Sequence, residues 1–317
     1  MRIVLAPMEG LAGVHLRRLL TAEGQYDWVV SEFIRVVDKL YPARVFHRIC
    51  PELLQGGKTQ SGTPVRVQLL GSDSEAMAEN ALRAVELGSF GVDINFGCPS
   101  KTVNRREGGA VLLKKPDNLY RVVNAVRSAL PRTITVSAKM RLGYEDKSLM
   151  LENALAIEAG GADEITVHAR TRDQGYRQPV YWDALGEINN ETSIPLIANG
   201  DVVDLATYQA CVAASGTHDI MIGRGAVKQP DLPLVLREQS SERDWPYIRH
   251  LISNFWRDMS LSLTDKDRVG KLKQWLNYLR QRHPGAEQLF QQIRLEKNPA
   301  LIDDILSDQH ASMKLVS

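Results

Sequence analysis

The chain has 317 residues and a formal net charge of +1, and 44% of its residues are hydrophobic. This length allows one large domain with a smaller one beside it, and the near-neutral charge gives no overall preference for a polyanionic partner. No run of about 18 apolar residues is present, so a membrane-spanning segment is not expected.

The three cysteines, Cys50, Cys98 and Cys211, lie far apart in the sequence. They form neither a C-x-x-C pair nor a zinc-ligand spacing, so the sequence predicts no metal site and no disulfide framework. The apolar run at residues 1–7 is too short for a signal peptide. We therefore expect a cytoplasmic protein.

Eight apolar, β-branched runs have the composition of parallel strands that are covered on both faces. Most are separated by segments long enough to hold a helix. Eight strands within about 225 residues match a TIM (β/α)8 barrel in number and size. A doubly wound sheet is the alternative, but no G-x-G-x-x-G follows an early strand. The predicted strands are Ile3–Ala6, Val29–Glu32, Val65–Leu69, Val92–Asn95, Thr133–Lys139, Ile165–His168, Pro195–Ala198 and Asp219–Ile222.

The alternation ends after Pro233, and residues 247 to about 306 have a helical period. Apolar residues three and four positions apart, such as Leu272, Trp275 and Leu276, would share one helix face. Breaks at 264–265, 284–285 and 298–299 divide this segment into about four helices, which predicts a small all-α bundle. The expected domains are a barrel over 1–243 and a helical domain over 244–317.

Cys98 is the strongest candidate for chemistry, because it follows the fourth predicted strand and lies between Gly97 and Pro99. Active sites of TIM barrels lie where the strands end. A free thiol has a pKa near 8.5, so Cys98 could act as a general acid without tuning, whereas a nucleophile would need a neighbouring base. A small buried structural thiol is the alternative.

Lys139 and His168 are predicted to end neighbouring strands. A lysine there is costly unless it meets a charge or a ligand, and an ion pair with a carboxylate is the alternative. His168 alone would be read as a structural histidine. Beside Lys139 it becomes a candidate for binding an anionic or flavin-like ligand.

The predicted ends of strands seven and eight, Asn199-Gly200-Asp201 and Gly223-Arg224-Gly225, indicate a phosphate site. TIM barrels commonly bind a phosphate at this pair of strands. The glycines allow close approach to the backbone, and the guanidinium of Arg224 can bind two phosphate oxygens. Two ordinary turns are the alternative.

A basic segment runs from Lys266 to Lys297, where eight basic and three acidic residues give a local net charge of +5. Lys273 and Arg280 are seven residues apart and are expected to share a helix face. A solvated helix face is the usual explanation of such charges. Their position near Trp275 and Tyr278 favours an RNA-backbone site if those aromatic rings are exposed, although the rings could equally belong to the core.

Taken together, the motifs at the strand ends resemble the tRNA-dihydrouridine synthase family. Asn-x-Gly-Cys-Pro is the most diagnostic of them, and the resemblance covers the whole barrel. The helical segment with Lys273-Gln274-Trp275-Leu276 resembles the C branch of the bacterial enzymes. The motifs are Ala6-Pro7-Met8-Glu9-Gly10, Asn95-Phe96-Gly97-Cys98-Pro99-Ser100, Lys139-Met140-Arg141-Leu142-Gly143, His168-Ala169-Arg170-Thr171, Asn199-Gly200-Asp201 and Ile222-Gly223-Arg224-Gly225.

The resemblance implies an FMN-dependent reduction of a uracil base in tRNA, with NADPH as the electron source. Hydride would pass from N5 of reduced FMN to C6 of uracil, and Cys98 would protonate C5. The C branch implies uridine 16 of the D-loop. The residues implied to bind FMN are Pro7, Met8, Glu9, Gln68, Lys139, His168, Asn199, Gly200, Asp201, Gly223 and Arg224.

The resemblance also implies contacts to the RNA. Asn95 and Arg141 would contact the uridine, with Tyr176 assisting, after the base has left its stack to reach the barrel mouth. The expected oligomeric state is a monomer. The residues implied to bind the rest of the tRNA are Arg35, Lys271, Lys273, Arg280 and Arg294.

The chain departs from the family pattern after Cys98, where Arg105-Arg106-Glu107 replaces a loop richer in glycine and could alter loop closure over the base. Two other functions remain open. An oxidoreductase of free pyrimidines, resembling dihydroorotate dehydrogenase, would keep the FMN residues but would not need a basic helical segment. A tRNA-binding protein without chemistry is the other, and the presence of Cys98, Lys139 and Arg224 argues against it.

Overall fold

The structure is a computed structural model that describes residues 1–105 and 107–311, so Arg106 of the loop noted above lies outside the described residues. Its centre is a closed barrel of eight parallel strands in chain order, in which the first strand pairs with both the second and the eighth. The expected TIM barrel is confirmed. The strands are β1 (Ile3–Leu5), β2 (Trp28–Arg35), β3 (Val65–Leu70), β4 (Gly91–Phe96), β5 (Thr135–Arg141), β6 (Glu164–His168), β7 (Leu196–Asn199) and β8 (Ile220–Ile222).

Some strands continue further towards the barrel mouth than the apolar pattern predicted. β2 ends at Arg35 and β5 ends at Arg141, because the interior side chains near the mouth are polar and the apolar run stops before the backbone pairing does. The expectation that Lys139 ends its strand was therefore wrong. Lys139 pairs with Thr166, two residues before the end of β5, and it is Arg141 that pairs with His168.

Helices alternate with the strands and cover the outside of the barrel. In this arrangement each helix runs antiparallel to the strand that follows it, so helix N-termini and strand carboxyl ends lie at the same end. Short 3₁₀ helices at Pro51–Gln55 and Gly109–Lys114 add to the loops. The helices up to residue 236 are α1 (Val14–Glu23), α2 (Ala43–Ile49), α3 (Ser74–Glu86), α4 (Lys101–Asn104), α5 (Pro116–Ala129), α6 (Met150–Ala159), α7 (Trp182–Glu191), α8 (Leu205–Ser215), α9 (Arg224–Lys228) and α10 (Leu232–Leu236).

Between the barrel and Ala311, where the described part of the chain ends, there are four helices, as the breaks in the helical period predicted. Their starts have ordinary physical causes: Asp244 and Thr264 accept hydrogen bonds from backbone N–H groups of the first turn, and Pro284 occupies the first turn of the third helix. They are α11 (Trp245–Ser260), α12 (Asp265–Leu279), α13 (Pro284–Ile293) and α14 (Pro299–Ala311).

The helical segment packs directly on the barrel, α11 against α1 and α12 against α9. Trp275 of α12 is fully buried, its ring meets Phe255 edge-on at 4.8 Å, and its Nε1 donates a hydrogen bond of 3.0 Å to the backbone oxygen of Val227. Trp275 therefore belongs to the core and offers no face to RNA. The packing brings Gln274 and Tyr278 to the barrel mouth.

Within the described ranges, no helix is long and apolar enough to cross a bilayer, and no three His, Cys, Asp or Glu side chains are grouped to hold a metal ion. All three cysteines are buried and carry free thiols.

Candidate active site

A cavity of about 1070 Å³ opens at the carboxyl ends of the strands. Its volume slightly exceeds the usual range for small-molecule sites, which leaves room for a large ligand and part of a second one. The residues predicted to bind a cofactor and a uridine all line this cavity, together with one predicted tRNA contact. These lining residues are Pro7, Met8, Glu9, Arg35, Gln68, Asn95, Cys98, Lys139, Arg141, His168, Tyr176, Asn199, Gly200, Asp201, Gly223 and Arg224.

Cys98 lies in the loop after β4, is 8% exposed and packs against Leu70 and Val103. Burial raises the pKa of the thiol; the backbone N–H of Ser100 opposes this shift, and the charge of Glu9 adds to it. The thiol is therefore protonated at neutral pH. A protonated thiol can deliver a proton, whereas a nucleophile would need a lowered pKa.

The backbone around Cys98 is fixed by the segment that follows it. The carbonyl oxygen of Cys98 accepts hydrogen bonds from Nδ2 of Asn104 at 2.9 Å and from the backbone N–H of Ala110 at 3.2 Å. Gly109 has φ +68°, and a Cβ there would lie 2.9 Å from Cβ of Cys98. The sequence prediction missed Asn104 and Gly109. The run of glycines at 108–109 was the available indication, and nothing in the sequence marked Asn104.

Arg141 is buried and connects two loops beside the thiol. Its Nε donates to the carbonyl of Gly97 at 2.9 Å, and its Nη1 donates to the carbonyls of Thr171 at 3.1 Å and Gly175 at 2.9 Å. Its guanidinium lies 5.4 Å from the centre of the Tyr176 ring. Arg141 is therefore an oriented cation at the mouth of the cavity, close to a ring that is 57% exposed.

Lys139 and His168 line the same cavity and carry different charges. Burial, with a contribution from the charge of Arg141, lowers the pKa of Lys139 to about 8, and its Nζ donates to Oδ1 of Asn199 at 3.0 Å. The partner is thus an amide and not the carboxylate of the structural alternative. Burial and the charges of Arg141 and Lys139 lower the pKa of His168 well below its usual value. At neutral pH the pair is an ammonium beside a neutral imidazole.

Asp201 joins two arginines at the turn after β7. Its Oδ1 accepts a hydrogen bond of 2.6 Å from Arg224, and its Oδ2 accepts one of 2.5 Å from Arg170. Although burial alone would raise it, the hydrogen bonds and charges of these two arginines lower the pKa of Asp201. The carboxylate therefore orients Arg224, and the group keeps a net positive charge. The sequence placed Arg170 with His168 in a strand-end motif but predicted no binding role for it.

The turn after β7 also has a backbone that accepts few other residues. Gly200 has φ +132°, and a Cβ there would lie 3.3 Å from Cδ2 of His168. Asp201 itself has φ +50°, which is unusual for a residue other than glycine. Such strain is typical of segments shaped for a ligand.

The predicted tRNA contacts of the helical segment lie outside the cavity lining, and three of them bond within the protein. Nζ of Lys271 donates to the carbonyl of Gly10 at 2.5 Å, and Nζ of Lys273 donates to the carbonyl of Glu296 at 2.5 Å. Arg280 pairs with Glu287 at 3.2 Å. Arg294 is exposed. Lys273 and Arg280 thus both turn towards α13 and the segment after it.

Comparison with known proteins identifies a family that matches this chain. A family model described as "Dihydrouridine synthase (Dus)" matches residues 4–309. The tRNA-dihydrouridine(16) synthase of Shewanella oneidensis is 46% identical over 312 residues, covering 98% of this chain and 99% of that protein. The tRNA-dihydrouridine(16) synthase of Escherichia coli (strain K12) is 47% identical over 299 residues, covering 94% and 95%.

Solved structures share the fold at low sequence identity. A variant of NCR from Zymomonas mobilis has a TM-score of 0.55 and 17% identity, covering 77% of this chain and 88% of that one. Histamine dehydrogenase from Rhizobium sp. 4-9 has a TM-score of 0.57 and 14% identity, covering 83% and 49%. These two show the barrel alone. The family model and the relatives extend over nearly the whole chain, and on that basis the chain belongs to the dihydrouridine synthase family.

Proposed function

We propose that this protein reduces the C5–C6 double bond of uridine 16 in the D-loop of tRNA to dihydrouridine, with bound FMN and with NADPH as electron donor. The relatives that match over nearly the full length are named for position 16. The observation that carries the proposal is the buried thiol of Cys98, kept protonated at the mouth of a large cavity beside the oriented guanidinium of Arg141.

The residues of the cavity fit a flavin mononucleotide. At one end, Arg224 and the glycines of the two turns offer positive charge and open backbone to a phosphate. A Cβ at Gly223 would lie 3.3 Å from Sδ of Met8, so glycine at this position leaves space in the cavity beside Met8. Further in, Gln68 and the Lys139 ammonium offer hydrogen-bond donors to a ring system. When bound, reduced FMN supplies the hydride that C6 of the uracil accepts.

The remaining steps fall to side chains of this chain. Cys98 holds the proton that C5 receives, and its protonated form persists at neutral pH because of burial. Arg141 and Asn95 would orient the uracil. Both polar atoms of the Asn95 amide are engaged within the protein, yet each keeps one further hydrogen or lone pair for a ligand.

We also propose that residues 1–243 form the catalytic unit and residues 244–317 the tRNA-binding unit. The local charge of +5 between residues 266 and 297 supports this division, as does the contact of α12 with the barrel mouth. Arg294 is the most accessible of the predicted contacts, because the other three bond to neighbouring groups of the protein.

Replacing Arg294 with alanine is expected to weaken tRNA binding and to reduce the slope of log K against log salt by about 0.7–0.9, since one phosphate contact is lost. Filter binding at several salt concentrations measures this slope. The matched control is Arg121→Ala on α5, which lies on the side of the barrel opposite α1 and α9. Equal slopes for the Arg294 variant and the wild type would place the RNA elsewhere.

The function itself is tested by mapping dihydrouridine in tRNA from cells that lack this protein. Loss of the modification at position 16 alone, restored by the wild-type chain, is the expected result. Loss at another position would refute the assigned uridine. Turnover of free uracil or orotate but not of tRNA would support a free-pyrimidine oxidoreductase instead. A purified protein that cannot be loaded with FMN would support a binding protein without chemistry.

A further inference from the structure

A line of hydrogen bonds runs from the loop of Cys98 into the barrel. The backbone N–H of Gly97 donates to Oδ1 of Asn95 at 2.9 Å. Nδ2 of Asn95 donates to Oε1 of Gln68 at 2.8 Å, and Nε2 of Gln68 donates to Oδ2 of Asp93 at 2.7 Å. We call these three bonds the amide relay.

The two ends of the amide relay fix its direction. A backbone N–H can only donate, so Gly97 fixes the orientation from the outer end, and at the inner end Oδ2 of Asp93 accepts from Gln68. Burial raises the pKa of Asp93, and the hydrogen bonds of Ser137 and Gln68 and the charges of Arg66 and Lys139 oppose this shift. Each of the two side-chain amides between these ends could be turned over in isolation, but one turned amide would place donor against donor and acceptor against acceptor. Leaving a buried polar group without a partner is unfavourable, so the two ends hold both amides in one orientation.

The carboxylate at the inner end is itself held from a second side. Ser137 donates to Oδ1 of Asp93 at 2.6 Å, and Nη1 of Arg66 donates to the Ser137 hydroxyl oxygen at 2.9 Å. Because Arg66 can only donate, the hydroxyl hydrogen is directed to Asp93. Both oxygens of the carboxylate therefore receive a donor, although the side chain is only 1% exposed.

We infer that Asp93 is a positioning residue, whose carboxylate orients the amides of Gln68 and Asn95 and through them the backbone beside Cys98. Asp93 lies beneath the cavity and is absent from its lining, so it acts through the other two. Asp93 and Asn95 are two apart on β4 and face the same side, and Gln68 pairs with Asp93 across to β3. The inference deepens the proposed function and rests on it for the roles of Gln68, Asn95 and Cys98.

The orientation of the two amides determines which hydrogen-bonding groups they offer to a ligand in the cavity. Each amide keeps one N–H hydrogen and one oxygen lone pair that the relay does not use. The relay decides on which side these lie, so a ligand above Gln68 and Asn95 meets a donor and an acceptor at set positions. Without the carboxylate, only the N–H of Gly97 would still favour one orientation. Both amides would then be held less firmly, and recognition of a ring with a fixed pattern of donors and acceptors would weaken.

Asp93→Leu tests this, because leucine has a similar size and offers no acceptor. In the purified protein without tRNA, iodoacetamide alkylation of Cys98, followed by peptide mass spectrometry, is expected to become about tenfold faster as the loop loses its anchor. Cys50 and Cys211, both 0% exposed, serve as internal references. The FMN dissociation constant is expected to rise about tenfold.

Two further variants distinguish the loss of the hydrogen bond to Gln68 from the general effect of changing a buried polar group. Asp93→Asn keeps an oxygen towards Gln68 and can turn its amide nitrogen to the Ser137 oxygen, so it should restore both readouts to within about twofold. Ser137→Ala removes the other hydrogen bond of Asp93 and leaves the relay intact, so it should also stay within about twofold. A folded Leu variant with unchanged alkylation and FMN affinity would overturn the inference, and so would an Asn variant as impaired as Leu.

If the Leu variant does not fold, Gln68→Met cuts the relay at its middle with an apolar side chain of similar length. Faster alkylation of Cys98 in that variant supports the relay, and an unchanged rate overturns it. The alkylation readout needs neither tRNA nor turnover. A chain that proved inactive on uridine 16 would therefore refute the proposed function and still give a separate answer for Asp93.

Discussion

Cys98→Ala is expected to lower the rate of dihydrouridine formation by about 10²–10⁴-fold while the bound flavin content stays the same, as for the loss of a general acid. The side chain is small and lines the cavity, so its removal takes away the proposed proton donor without disturbing Arg224, Lys139 or the turns that would hold the cofactor. Single-turnover assays with pre-reduced enzyme and unmodified tRNA measure the chemical step directly.

The matched control is Cys211→Ala, a substitution of another buried thiol, on α8 and away from the cavity lining. It should leave the single-turnover rate unchanged. A Cys98→Ala enzyme that keeps its rate would remove Cys98 from the chemistry. The pH dependence provides a further check: because burial raises the pKa of the thiol, activity should persist through neutral pH and fall only where the thiol ionises in alkaline solution.

The barrel could be predicted because its evidence is local and repeated. Each strand of a parallel barrel is covered on both faces, so it appears as an apolar run wherever it occurs. The strand ends could not be predicted as well, because the side chains of the mouth are polar while their backbone remains paired. This is why Lys139 was placed at a strand end that Arg141 occupies.

Residues of the candidate site could be predicted from the sequence where a purely structural role would not explain the residue type. Cys98 beside Gly97, and Arg224 between Gly223 and Gly225, are examples. Asn104 and Asp93 are not, since an asparagine or aspartate in isolation has many ordinary roles. Their partners, the carbonyl of Cys98 and the amide of Gln68, become visible only when the chain has folded.

Trp275 illustrates a choice that the sequence left open. Near basic residues, an aromatic side chain is typical of RNA-binding surfaces, but the same spacing of three and four residues also describes a core face. In the structure Trp275 belongs to the core, because it fills the junction of α12 with the barrel. Its effect on the site is indirect, since it fixes the helix that brings Tyr278 to the cavity.

Lys139→Met is expected to make the ligand-free protein more stable at pH 7, while impairing FMN binding. The pKa of Lys139 is lowered to about 8 from the usual 10.5, chiefly by burial. At pH values below 8 the ammonium is charged in both the folded and the unfolded state, and burying it costs about 3 kcal/mol. The lost hydrogen bond to Asn199 offsets about 1 kcal/mol of this, so the net gain of the variant is about 2 kcal/mol.

The stability advantage of Lys139→Met over the wild type should disappear as the pH rises. Between pH 8 and 10.5 the unfolded chain binds a proton at Lys139 that the folded protein has released, so the free energy of unfolding of the wild type rises with pH in this window. The methionine variant has no such contribution. Urea unfolding of both proteins at pH 7 and pH 10 measures the difference, with Lys266→Met as an exposed control.

Parallel stability curves for the wild type and the Lys139 variant would show that the ammonium has an ordinary pKa and is not strained by its position. The expected converging curves would instead identify a residue that the fold retains against its own stability. Such a cost is typical of functional sites, where a group is kept for what it binds. An anionic ligand next to Nζ would remove that cost, so FMN should stabilise the wild type more than the methionine variant, and most strongly below pH 8.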